Sequence, residues 1–170
     1  AEISQRSGVS VRVTICNYEN LLSNALKRAI RLGEKQVAPR VSDLSAIVAS
    51  TSGKIELETV GDAGEEKVLS KLAQRAVLNI FNKSFSGGEL DEVVSAFQGG
   101  LRVEASDEMP STDYVRQIGE IRPLHAAAKK LGAADPPGVA SAVEFVLEGL
   151  HLSRKLNKDI HAGRFRYRGQ

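Results

Sequence analysis

A chain of 170 residues, 42% hydrophobic and 26% charged, has the size and composition of a globular protein with one ordinary core or two small joined ones. No apolar run approaches the roughly 20 residues of a membrane helix, and the opening "AEISQRSGVS" lacks the apolar centre of a signal peptide. The single cysteine, Cys16, excludes an internal disulfide framework and suits a reducing cytoplasm, and the formal net charge is only +2.

Helical periodicity dominates the chain. The first predicted helix runs from about Asn17, read as its N-cap, to a stop at Gly33, with Glu19 in the first turn. Leu22, Ala25, Leu26, Ala29 and Ile30 recur at three- and four-residue steps and are its predicted buried stripe. Arg12 falls just ahead of this helix. A turn through Pro39 leads to a shorter helix capped by Ser42 or Asp43, carrying Leu44, Ile47 and Val48 and ending before Gly53. "KIELETV" alternates apolar and polar residues, as a short strand does.

"GDAG", residues 61–64, reads as a joint, and Asp62 with Glu65 has capping-box spacing. A long helix follows with Leu69, Leu72, Ala73, Ala76, Ile80 and Phe81 directed inward, broken by "SGG". "ELDEVVSAF" is a further short helix closed by Gly99 and Gly100, and "LRVEAS" a second strand candidate. "STDYVRQIG" and "IRPLHAAAKKLG" read as two short helices, with Pro123 tolerated near the start of the second. Asp135 and Pro136 open the best-marked helix, whose apolar positions are Val139, Val143, Val146, Leu147 and Leu150. No fixed-period repeat or low-complexity segment is present. The expected fold is mainly α in two helical parts, residues 1–60 and 61–170, with a short strand or two.

Catalytic signatures are scarce. There is no G-x-x-x-x-G-K-[ST] loop and no apolar strand ending in Asp-Glu to hold magnesium. His125, His151 and His161 have no partners at zinc spacing, so no metal site is expected. Cys16 without a histidine partner reads as a small packed residue. Glu65-Glu66 and Asp91-Glu92 stand near helix starts, where negative charge is favourable.

Residues 154–168 hold six Lys/Arg against one Asp, leaving 17 basic against 20 acidic residues elsewhere. Within this basic tail, Arg164, Phe165, Arg166, Tyr167 and Arg168 alternate guanidinium with aromatic rings, a pattern that suits phosphate pairing and base stacking. It equally suits a solvated end, or an extended segment docking on an acidic neighbour. Those two readings are preferred, because the body adds no basic surface to support nucleic-acid binding.

"SQRSGVSVRVTICNYENLLSNALKRAIRLGEKQVAPRVSDL" resembles the lid region of AAA+ ATPases of the magnesium-chelatase ATPase-subunit group, in particular the magnesium-chelatase-like, sigma-factor-interacting type. That family follows its Walker domain with a G-x-S-x-R stretch, here Gly8-Val9-Ser10-Val11-Arg12. A helix rich in Ala, Leu and Arg comes next, here Tyr18 to Leu32, and then a V-x-x-x-D-L segment matched in Val37 through Leu44. The ending "EFVLEGLHLSRKLNK" is similar to the family's closing helix, and the likeness is tightest over residues 4–50.

The resemblance implies that Arg12 is the sensor-2 arginine, near the γ-phosphate of ATP in its own or a neighbouring subunit, with Arg6 as the alternative. It implies that ATP and magnesium are bound by a longer parent, in which the lid senses ATP and couples hydrolysis to movement or partner contact. The partners implied are the parent's own AAA+ core, neighbouring ring subunits and a client protein, in the cytoplasm and without a membrane. The nucleotide-binding core is absent from this sequence, and the chain opens at Ala1 where the family passes from core to lid. The expectation is therefore a non-catalytic C-terminal piece of a longer ATPase, or a truncated relative. The alternative is an autonomous helical protein- or nucleic-acid-binding module acting through the basic-aromatic segment.

Overall fold

The computed structural model describes residues 9–55, 64–119, 121–161 and 164–170. Helix α1 spans Val11–Leu32, a 3-10 turn Val41–Ser45 runs into α2 at Ala46–Thr51, and α3 covers Gly64–Ser84. Helix α4 (Asp91–Gln98) leads to strand β1 (Arg102–Ala105), followed by α5 (Ser111–Ile118), α6 (Arg122–Lys130) and α7 (Pro136–Leu152). Strands β2 (Asn157–His161) and β3 (Arg164–Arg168) complete the described elements. The fold is mainly α with one small sheet, as expected. "KIELETV" beyond Ile55, the joint at 61–63 and Asp62 lie outside the described residues.

Helix α7 is the axis on which α3, α5, α6 and the 3-10 turn pack. Asp135 caps it, accepting from the backbone N–H of Gly138 at 2.8 Å, and the following proline begins the helix where no donor is required. All five apolar positions expected of it are buried. Each such side chain contributes roughly 1.5–3 kcal/mol by leaving water. Gly149 lets the Phe81 ring of α3 lie against the α7 backbone, in space that a Cβ would occupy.

The first helix begins seven residues earlier than the sequence suggests. Ser10, not Asn17, is the N-cap, accepting from the Arg12 N–H at 3.2 Å, so Arg12 sits inside the first turn rather than ahead of the helix. Asn17 lies mid-helix, where its carbonyl oxygen accepts from the hydroxyls of Ser50 and Thr51 at 2.7 and 2.9 Å and ties α1 to α2. Gly33 ends the helix as expected, at φ 69°.

The buried stripe of α1 is also displaced. Ala25 and Ala29 face inward, but with Val13 and Arg28, whereas Leu22, Leu26 and Ile30 are exposed. The cause is Arg28, which turns inward to a carboxylate and a carbonyl, on the side of α1 that packs on α2. In α3, Leu69 and Phe81 are buried and Leu72 and Ala73 half-buried, but Ala76 and Ile80 face out.

The basic tail is not a loose end. It is a hairpin whose second strand occupies the middle of an antiparallel sheet in the order β1-β3-β2. Tyr167 stands opposite Val103 on one side and Lys158 on the other. The shift from helical to strand period after Leu156 places alternate residues of β3 inward, and Tyr167 is buried.

Candidate functional site

Arg12 projects from the first turn of α1 and is exposed, with no carboxylate paired to it among the described residues. Along the same helix Val11, Ile15, Tyr18, Leu22, Leu26 and Ile30 form an exposed apolar stripe at steps of three and four, with Val11 74% and Ile30 73% accessible. The first turn of α1 contains no acidic residue. This face therefore pairs a free cation at one end with apolar surface along its length. Arg6, the alternative sensor, lies outside the described residues.

The mount of this helix is a buried ionic knot. Arg28, 2% exposed, donates to Asp43 Oδ2 and to the carbonyl of Ala38, both at 2.9 Å. Asp43 is wholly buried and also accepts from Asn24 at 3.0 Å and from the backbone N–H of Arg40 at 2.8 Å. Arg40 in turn reaches across to the Met109 carbonyl and the Ser111 hydroxyl, both at 2.7 Å, and lies over the Tyr114 ring. Glu34 joins the knot by accepting from the Ser111 N–H at 2.6 Å. The chain after α1 is thus clamped to α5 by ionic and hydrogen bonds that water does not screen.

A second buried network runs along α7. Glu144 accepts from the Ser42 N–H at 2.8 Å, the Ser42 hydroxyl at 3.3 Å and the Tyr114 hydroxyl at 2.5 Å. Burial pushes its carboxyl upward, opposed by those hydrogen bonds. One turn on, Glu148 Oε2 accepts from the Tyr167 hydroxyl and the Lys158 ammonium, each at 2.7 Å. Burial, and then the Glu148 charge, push the Tyr167 phenol well up and keep it a donor. Both glutamates line a pocket of about 290 Å³ between the 3-10 turn, α3, α7 and the sheet.

The arginine-aromatic segment is engaged within the fold. Arg166 donates to Glu104 at 2.8 Å, Arg164 approaches the same carboxylate at 3.4 Å, and Arg168 pairs with Asp159 at 2.5 Å. Tyr167 is buried and Phe165 half-buried beneath the Lys158 ammonium. Of the two preferred readings, docking on acidic neighbours describes this arrangement, since the neighbours are β1 and β2 of the same sheet.

The histidines are brought to no common site: His125 and His161 are exposed, and His151 Nδ1 lies 3.2 Å from the Leu156 carbonyl. Among the described residues no group of His, Cys, Asp and Glu is arranged to hold a metal, and no helix is long and apolar enough to cross a membrane.

Family models, curated proteins and solved structures offer no match to this chain.

Sequence reading missed Arg28, Arg40, Glu144 and Glu148, and took Asp43 only as a helix cap. A further signal was Glu144 and Glu148 on the apolar side of α7, at the four-residue spacing of its core positions.

Proposed function

We propose that this chain is the lid and C-terminal helical part of a cytoplasmic AAA+ ATPase, of the magnesium-chelatase-like type that its sequence resembles. In this reading α1 carries Arg12 toward a nucleotide's terminal phosphate and lays its apolar stripe on an adjoining body of the ring. The observation that carries it is the outer face of α1: an exposed arginine without a carboxylate partner among the described residues, continuous with six exposed apolar side chains on a helix clamped from behind. Guanidinium is permanently charged and pairs with phosphate oxygens through two N–H groups, so a rigidly held arginine suits phosphate sensing.

ATP hydrolysis and magnesium belong to the Walker domain of the assembly. This chain contributes the guanidinium, the docking stripe and a stiff connection between them. A lid moving as one piece turns nucleotide state into displacement of whatever it touches. Contact with a client protein falls to the rest of the C-terminal part.

The test is Arg12→Ala in the assembled ATPase. ATP turnover falls at least tenfold while circular dichroism and the thermal midpoint stay unchanged, since the side chain makes no ion pair within the described fold. Undiminished turnover rejects the reading.

A further inference from the structure

The geometry points to an anion site on the outer face of the sheet: Arg102 and Arg168, directly opposite each other on β1 and β3, together take a doubly charged phosphate group. The site is built on other elements than α1 and does not rest on the proposed function.

Alternation along the paired strands sorts the sheet into two faces. Buried Tyr167, with Val103 and Lys158 opposite it, belongs to the inner face, and so does Phe165. The outer face carries Arg102, Arg168 and Asn157 in one row, Glu104, Arg166 and Asp159 in the next, and Arg164 with His161 beyond them. The strands thus show guanidinium groups outward and keep their aromatic rings inward, which suits phosphate pairing without base stacking.

Four arginines share this face with two carboxylates, and the carboxylates serve it unevenly. Glu104 takes Arg166 at 2.8 Å and Arg164 at 3.4 Å, and Asp159 takes Nε of Arg168 at 2.5 Å. A guanidinium carries five N–H donors, so one bonded through Nε keeps others to offer. Arg102 is exposed and has no hydrogen bond or ion pair among the described residues. Residues directly opposite on neighbouring strands have Cβ atoms about 4.5–5.5 Å apart, and like charges so placed repel. Arg102 and Arg168 are such a pair, and an oxyanion accepting from both turns that repulsion into attraction. Arg154, another exposed arginine, precedes β2 at the same end of the sheet, its carbonyl accepting from the Gln170 side chain.

Phosphate follows from the charge count. Four guanidinium groups against two carboxylates leave two positive charges on the face. A phosphate monoester brings about 1.5 to 2 negative charges and three acceptor oxygens, enough to meet two guanidinium forks at once. A carboxylate or a phosphodiester brings a single charge.

Amide NMR titrations at constant ionic strength and neutral pH test this, with inorganic phosphate, a phosphoserine peptide, dimethyl phosphate and oligothymidylates of increasing length as probes. Phosphate and the phosphopeptide give saturable shifts centred on Arg102, Arg168 and Asn157, and dimethyl phosphate binds at least threefold more weakly. Tighter binding of the phosphopeptide than of phosphate identifies the source as a phosphorylated protein, and equal binding identifies it as the free ion. Arg102→Gln weakens both at least fivefold. Lys67→Gln, which removes the same charge from α3, leaves both unchanged. Arg102→Lys keeps the charge, loses the fork and binds with intermediate affinity, which guards against misfolding of the glutamine variant. Undiminished binding in Arg102→Gln, an equal loss in Lys67→Gln, or affinity that grows with oligonucleotide length while shifts spread along the whole face overturns the assignment.

Discussion

Asp43 shows how much one side chain organises. It is fully buried and accepts from Arg28, Asn24 and the Arg40 backbone, three groups that approach from α1 and from the segment after it. Removing it would leave the buried Arg28 guanidinium with the Ala38 carbonyl opposite Nη2 and only the longer pairing of Nη1 with Glu34, at 3.6 Å, to balance its charge. Asp43→Ala is therefore expected to destabilise the protein by about 3 kcal/mol, the lower end of the scale for breaking a buried ion pair, because Glu34 still faces Arg28. Urea unfolding at neutral pH measures it. Asp43→Asn retains an acceptor for the Arg40 N–H and loses less. None of this was visible as a pairing in the sequence, where Arg28 and Asp43 stand fifteen positions apart and Arg28 reads as ordinary helix-surface charge. Asp43 was legible as a helix-start residue, and its bond to the Arg40 N–H is of that kind.

Among the elements, legibility follows the strength of local chemistry. Helix α7 was readable because Asp-Pro at its start and core positions at helical spacing agree with each other. The end of α1 at Gly33 was equally plain. Its start was not, because Asn17 looks like a cap wherever it stands and its true bonds, to Ser50 and Thr51, are made across space. Strands β2 and β3 were not distinguished, since arginines alternating with rings read equally as a solvated end, a nucleic-acid-binding end or an extended segment docking on an acidic neighbour until Glu104 and Asp159 are seen beside them.

Glu104 makes this sheet sensitive to acid. The hydrogen bond from Arg166 is the main influence holding its carboxyl below the ordinary range, outweighing a smaller desolvation cost, with Arg164 adding to it. A carboxyl whose folded pKa is depressed contributes stability above its unfolded value, near 4.3, and that contribution is lost as pH falls through the folded value. Urea midpoints at pH 7 and pH 3.5 should therefore fall further for the wild type than for Glu104→Gln. The difference is expected below about 1 kcal/mol, because these groups are partly solvated. An equal drop in both proteins contradicts this account.

Over the whole molecule, the two faces of α1 divide stability from association. Its inner face is locked by Arg28 and Asn17, and its outer face offers apolar side chains to solvent. Leu26→Asp combined with Ile30→Asp should change folding stability by no more than about 0.5 kcal/mol, as surface substitutions do. The same pair should abolish co-sedimentation with the ATPase core if that stripe is the contact the proposed function requires. Loss of folding would instead place those side chains in the core, against the present structure.

The order of the sheet has a bearing on biosynthesis. Because β3 lies between β1 and β2, nothing can bridge the outer two strands until residues 164–168 have been translated and have cleared the ribosome. Up to that moment Val103 on β1 waits for Tyr167, its partner in the sheet, and among the described elements the nascent polypeptide has its helices to stay collapsed.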